Sequence, residues 1–284
     1  MSNDDIQNGH IRHAALAQLH RWYQFYESPN ATLENQLDIL SDTISLKSGL
    51  GEAVGHTAYC ERLKDLPDTW LNAHFVNNSV FRILPDGMIQ MDVDLHYLNQ
   101  GMLPDQAVRA AELSYKTVLS PSDTVLPKFT SIEISEKKDG IFDSFIPSYS
   151  ENRLASLAHY WLALLENPEH DPEPFREILA DGFSLNFASG ALTDFEEFKE
   201  WLAGPVSQIP ESTYDLSDLA HEQLDDTIYR FTASLDWRAV LADGRDVTSK
   251  TKHVWLVEDN PAERFARIKT MDASAIRKRR EPEE

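Results

Sequence analysis

The chain has 284 residues, of which 47 are acidic and 26 basic, giving a formal net charge of −21 at pH 7. That balance argues against phosphate backbones and anionic membranes, which reward clustered Lys and Arg, so neither nucleic acid nor membrane is expected as a partner. A single cysteine, Cys60, excludes an internal disulfide framework and a cysteine-based metal cluster; no apolar run reaches the ~18 residues of a membrane span, the start lacks a signal peptide's apolar block, and a cytoplasmic protein is expected.

The first predicted element is an amphipathic helix over about 12–27, with apolar residues at helical spacing. A short second helix ends at Leu40, a strand follows, and a third helix starts at Thr57, a residue type suited to an N-cap. Three long strands then run as a meander, the first over "HFVNNSVFRILPDG" (74–87), which closes on the turn Asp86-Gly87. The stretch 135–152, with its Lys-Lys-Asp-Gly turn and Pro147, reads as poor helix and a linker, although Ile141, Phe142 and Phe145 suggest that it packs. The same grammar then returns. A helix covers about 151–166, a second ends at Leu179, a third starts at Thr193 with Glu196 in capping-box position, and a meander is broken at Asp225-Asp226 and at 242–246.

This is an internal repeat. Shifted by 138 to 140 positions, "ALAQLHRWYQFYESP" (15–29) lies over "RLASLAHYWLALLENP" (153–168), Leu40-Ser41-Asp42 over Leu179-Ala180-Asp181, Asp86 over Asp226, Leu95 over Leu235 and Tyr97 over Trp237. The expected organisation is two α+β domains, 1–138 and 151–274, joined by a linker over 139–150 and followed by a charged tail over 275–284. Each domain is expected to have three N-terminal helices packed on a curved antiparallel sheet.

Strand alternation sorts residues by face. Ile89, Met91, Val93, Leu95 and Tyr97 form an apolar face, as do Tyr229, Phe231, Ala233, Leu235 and Trp237; Leu113, Tyr115, His253 and Trp255 point the same way. The opposite face carries Asp92, Asp94, His96 and Glu112 in the first half, and Arg230, Arg238, Lys250 and Lys252 in the second. Those opposite charges suggest an intramolecular pseudo-dimer of the two sheets.

The order of elements, with the words "LSDTISL", "GHTAYCERL", "HFVNNSVFRILPDG", "LADGFSL" and "HVWLVEDNPAERFARIKTMDA", resembles the nuclear transport factor 2-like superfamily, in its SnoaL-like and ketosteroid-isomerase-like branch. The string "HFVNN" also resembles the β subunits of ring-hydroxylating dioxygenases, which share that fold and are largely structural. The resemblance implies two cones, each a bent sheet and helices around an apolar pocket, with an outer sheet face that commonly forms dimers, so a further homodimer is open. Ketosteroid isomerases use an aspartate base; neither Asp42 nor Asp181 matches its place, and both read as turn residues.

The candidate acid–base groups are His74 and His253, since imidazole titrates near neutral pH. Candidate ligand contacts are Tyr59, Tyr97, Tyr115, Tyr229, Trp237 and Trp255. Aromatics at strand spacing also describe a filled core, and alternation does not decide which way His74 points. No nucleotide, phosphate-loop, zinc-helix or nucleophile-elbow motif occurs, so no cofactor and no metal are expected. Two readings stay open. One is a protein that binds a small apolar or aromatic molecule or serves as a scaffold. The other is a cofactor-independent isomerase, dehydratase or cyclase.

Overall fold

In the computed structural model, which describes residues 6–28, 30–207, 209, 211–241 and 243–280, each half of the chain folds as helices against its own six-stranded sheet. Helix α1 (Gly9–Glu27) buries Ala15, Leu19 and Trp22, three to four residues apart, along one stripe that Tyr23 widens. Thr32 caps α2 (Leu33–Asp38) by accepting the Asn35 amide at 3.2 Å. Strands β1 (Leu40–Ser48) and β2 (Gly51–Val54) form a hairpin, and Gly51, at φ 103°, takes a backbone conformation that side chains resist. Helix α3 (Gly55–Leu63) follows, then β3 (Leu71–Ile83), β4 (Ile89–Gln100), β5 (Val108–Ser120) and β6 (Lys128–Phe142). These four long strands pair antiparallel in sequence, and β6 closes against β1 in parallel, giving the order β2-β1-β6-β5-β4-β3.

The second half repeats this with α4 (Tyr149–Glu166), a 3₁₀ turn over Glu173–Glu177, β7 (Leu179–Phe187), β8 (Gly190–Leu192), α5 (Phe195–Trp201), β9 (Glu211–Gln223), β10 (Ile228–Val240), β11 (Asp246–Glu258) and β12 (Arg267–Arg280). Its order, β8-β7-β12-β11-β10-β9, is that of the first sheet. Register makes the duplication concrete. Leu46 faces Ala53 and Ile132, and Leu185 faces Leu192 and Met271, each residue 139 positions on. Both sheets also carry a bulge in the first meander pair, at Val76–Asn78 and opposite Thr232–Ser234, which bends the strands into a cone.

Several expectations change. Each sheet is mixed, because β1 and β7 lie parallel to β6 and β12, and the meander has four long strands. Leu40 and Leu179 begin strands instead of ending helices. The cap of α5 is Asp194, which accepts the Glu197 amide at 2.9 Å, while Thr193 donates its own amide to the Glu197 carboxylate at 2.7 Å. The expected linker is strand up to Phe142, since β6 stays paired with β5 to that point, and helix from Tyr149. Of the expected tail, Ala275–Arg280 continue β12, and 281–284 lie outside the described residues.

Two compact units emerge, one of Gln18–Arg153 and the other of the residues up to Ala17 together with Leu154 onward. They do not follow the sequence boundaries, because Arg12 and His13 bond the carbonyl of Tyr214 on β9, at 2.8 and 2.9 Å. On the polar faces six of these charges have a partner in their own sheet: Asp92 with Arg82, Asp94 with Lys137, Glu112 with Lys138, Arg230 with Glu222, Arg238 with Asp246 and Lys250 with Asp236. Among the described residues, no helix is long and apolar enough to cross a membrane.

Candidate functional site

The first cone holds a cavity of about 440 Å³. Trp22 and Tyr26 of α1, Leu46 and Ser48 of β1, Arg62 of α3, His74 of β3, Tyr97 of β4, and Leu113 and Tyr115 of β5 are all in its wall. The sheet's inward face supplies one side and the helices the other, as the alternation of β4 requires: Ile89, Met91, Val93 and Leu95 are buried while His96 is exposed.

His74 is the titratable centre of this wall. Its Nδ1 lies 2.9 Å from Oε1 of Glu27, the last residue of α1, and the Glu27 side chain is 1% exposed. That carboxylate also accepts the His74 amide at 2.9 Å, the Ser148 hydroxyl at 2.8 Å and the Asn152 amide group at 3.0 Å, so its buried charge is fully hydrogen-bonded. A carboxylate at Nδ1 holds the proton there and leaves Nε2 as the free lone pair of a ring that lines the cavity. Tyr23 stacks on the imidazole at 4.6 Å between centroids and fixes its plane.

Around it the hydroxyls are kept neutral. Burial pushes Tyr97 up to about 12 and Tyr115 higher still, so both remain proton donors. Tyr97 donates to Asn72 Oδ1 at 2.6 Å, and Tyr115 shares the cavity wall with Trp22. Behind Tyr26, its hydroxyl meets that of Tyr59 at 2.7 Å, and Gln36 donates to Tyr59 at 2.8 Å.

The second cone has the same skeleton and a different filling. Glu166, the last residue of α4, accepts the Tyr214 amide at 2.7 Å and the Thr213 hydroxyl at 3.1 Å, as Glu27 accepts that of His74. Tyr214, however, stands where the first cone has His74. Phe175, Phe198 and Leu165 replace Gln36, Tyr59 and Tyr26, each 139 positions on. By register Trp255, opposite Met271, replaces Thr117, opposite Ile132. Trp161, Phe175, Phe198, Phe231 and Trp255 pack in edge and tilted contacts 4.8 to 6.1 Å apart, all 2% exposed or less. His253 sits within this packing. Its Nε2 meets the Thr251 hydroxyl at 3.0 Å, the Trp255 indole donates toward Nδ1 at 3.4 Å, and burial pushes the imidazole down to about 4.

Of the residues singled out from sequence, His74, Tyr97 and Tyr115 therefore share one cavity, and Tyr59 supports it through Tyr26. Tyr229, His253 and Trp255 are buried in the other cone, and Trp237 is half-buried against Tyr214 at 6.5 Å. Asp42 and Asp181 point outward from strands β1 and β7. The residues missed are Glu27, Asn72, Arg62 and the tryptophans Trp22 and Trp70. A signal for Glu27 was present: the repeat lays Glu27-Ser28-Pro29 over Glu166-Asn167-Pro168. Among the described residues no three His, Cys, Asp or Glu side chains gather as a set that could hold a metal ion.

No family model matches the sequence, and no curated protein matches it. Solved structures similar to this chain include a type 2 hexachlorocyclohexane dehydrochlorinase, at 9% identity and a TM-score of 0.42 over 47% of this chain and 89% of that one. Another is a type 3 form of that enzyme from Novosphingobium barchaimii, at 9% identity and a TM-score of 0.41 over 46% and 89%. A nuclear transport factor 2-like superfamily protein from Salmonella enterica matches at 13% identity and a TM-score of 0.41 over 47% and 95%. Each is nearly covered by half of this chain, and likeness at this level says nothing about substrate. Two α+β halves in tandem along the sequence, each built on a six-stranded mixed sheet of the same strand order, make up the described chain.

Proposed function

We propose that the first cone binds a small apolar or aromatic organic molecule and moves a proton on it, with His74 as the acid–base group and Glu27 as the residue that orients it. The observation that carries this reading is the 2.9 Å contact between His74 Nδ1 and the buried Glu27 carboxylate, with the ring in the wall of a cavity of about 440 Å³. In this reading Nε2 accepts a proton from a carbon beside an electron-withdrawing group. The electron pair left on carbon either expels a leaving group from the neighbouring carbon or forms a conjugated enol, and the imidazolium returns its proton to the leaving group or to a second carbon. Glu27 offsets the imidazolium charge, and the Tyr115 hydroxyl donates to the oxygen on which negative charge grows. Isomerisation, elimination and ring closure beside a carbonyl can all begin with this step.

The second cone supports the other reading, that of a packed scaffold, because aromatic side chains occupy the space that the first cone leaves open. The test takes carbonyl compounds that stabilise the full chain in a thermal-shift screen and follows uptake of solvent deuterium at their α-carbons by NMR. The expected result is exchange in the natural protein, a loss of about 10²-fold or more in His74→Asn and a smaller loss in Glu27→Gln, with ligand affinity little changed. Binding with no exchange, or equal exchange in His74→Asn, would leave a binding protein only.

A further inference from the structure

The cavity that carries His74 also carries an uncompensated cation. Three ionic side chains line it besides His74: Arg62, Arg109 and Glu136. Arg109 is neutralised, since it pairs with Glu136 and, at 2.9 Å, with Asp139. Arg62 forms no ion pair with a carboxylate among the described residues. Its guanidinium donates to the Gly51 carbonyl at 2.9 Å and to the Ser48 hydroxyl, both neutral acceptors. Two of its five N–H groups are thereby used to hold the plane, and three remain. Ser48 also accepts the Leu50 amide at 3.1 Å, so its own hydroxyl proton is unspent. In a chain of net charge −21, this cation faces an aromatic-walled cavity with no acidic partner among the described residues.

The duplicated cone makes the contrast sharper. Ser48 faces Gly51 across its hairpin as Phe187 faces Gly190, and the repeat sets Arg62 over Trp201. In the second cone those two positions are filled by parallel stacked rings, Phe187 on Trp201, 4.7 Å apart with 5° between planes. The second cone therefore fills this corner with an apolar stack, where the first cone carries the polar Ser48–Arg62 pair.

We propose that Arg62, held by Ser48, is the head-group site of the first cone and that its ligand is an organic carboxylate with an apolar or aromatic body. The guanidinium fork and the Ser48 hydroxyl take the carboxylate, and Trp22, Trp70 and Leu46 take the body, which lies against His74. This rests on the reading of the first cone as a small-molecule site and adds its substrate class; it does not depend on proton transfer.

The experiment uses the full chain and a panel of 2-naphthoate, indole-3-acetate and trans-cinnamate, each paired with its primary amide, with dissociation constants from calorimetry at low and moderate salt. We expect at least one carboxylate to bind about tenfold or more tightly than its amide, as a charge-assisted hydrogen bond allows, with the advantage shrinking in salt. In Arg62→Gln that advantage should fall to about twofold or less while amide affinity stays put, and Arg62→Lys should recover part of it. The melting temperature of each unliganded variant checks that it is folded. Equal binding of acid and amide by the natural protein, or an acid preference that survives Arg62→Gln, overturns the assignment and leaves the His74 reading standing. Silence of the whole panel overturns the assignment, and the carbonyl screen above then decides the His74 reading by itself.

Discussion

The two cones show at single positions how a shared frame is turned to different ends. Glu27 and Glu166 end their helices and accept the backbone amide of the strand that crosses them, so the glutamate is first a latch between helix and strand. At the residue whose amide is latched, His74 lets the same carboxylate also orient an imidazole, whereas Tyr214 offers no second donor to it. The other histidine is set by burial alone. His253, down at about 4 from an ordinary 6.5, stays neutral in the folded chain across a pH range in which the unfolded chain takes up a proton. Stability from this residue is complete above pH 6.5 and is lost as pH falls toward 4, by about 3 kcal/mol at the lower end. Urea unfolding at both ends of that window should show His253→Gln with a visibly flatter pH dependence than the natural protein. An unchanged slope would mean that His253 is solvated.

At the scale of elements, one substitution pattern separates an open cone from a filled one. Thr117 becomes Trp255 on the strand's inner face, Gln36 and Tyr59 become Phe175 and Phe198, and the space under the sheet is taken by rings. The hydroxyl chain that the first cone keeps instead has to be satisfied throughout. Tyr59→Phe leaves the Tyr26 hydroxyl and the Gln36 amide without their shared partner, and should cost about 1–3 kcal/mol in chemical unfolding although it removes a single oxygen. The inward faces of β4 and β10 were legible from alternation, since neither strand has to break period to stay paired. The direction of His74 was not. Strand β3 shifts register between Val76 and Asn78, so its residues do not keep one face along their length and both faces read as mixed.

For the molecule as a whole, the proposed reading of the first cone as a small-molecule site makes ligand binding a local event. An apolar acid that enters the first cone should slow amide exchange in β3, β4 and β5 and leave β9–β12 near their unliganded rates, as hydrogen–deuterium exchange by mass spectrometry reads segment by segment. Equal protection in both sheets would indicate a second binding cone. Charge does not work against a local site: several acidic and basic residues of the sheet faces pair within their own sheet, and Arg62 stands in the cavity wall without a carboxylate partner among the described residues.

The sequence by itself determined the duplication, the α+β class, the inward faces of the central strands and the short list that contained His74, Tyr97 and Tyr115. Those follow from local periodicity and from self-similarity, which need no knowledge of what touches what. Only the tertiary structure decided that Glu27 stands behind His74, that His253 is buried against the Trp255 indole and that Arg62 faces a cavity shared with both tyrosines. Each of those facts depends on contacts between residues 20 to 50 or more positions apart, or on whether aromatic volume closes a space, and a pattern of residue types carries neither.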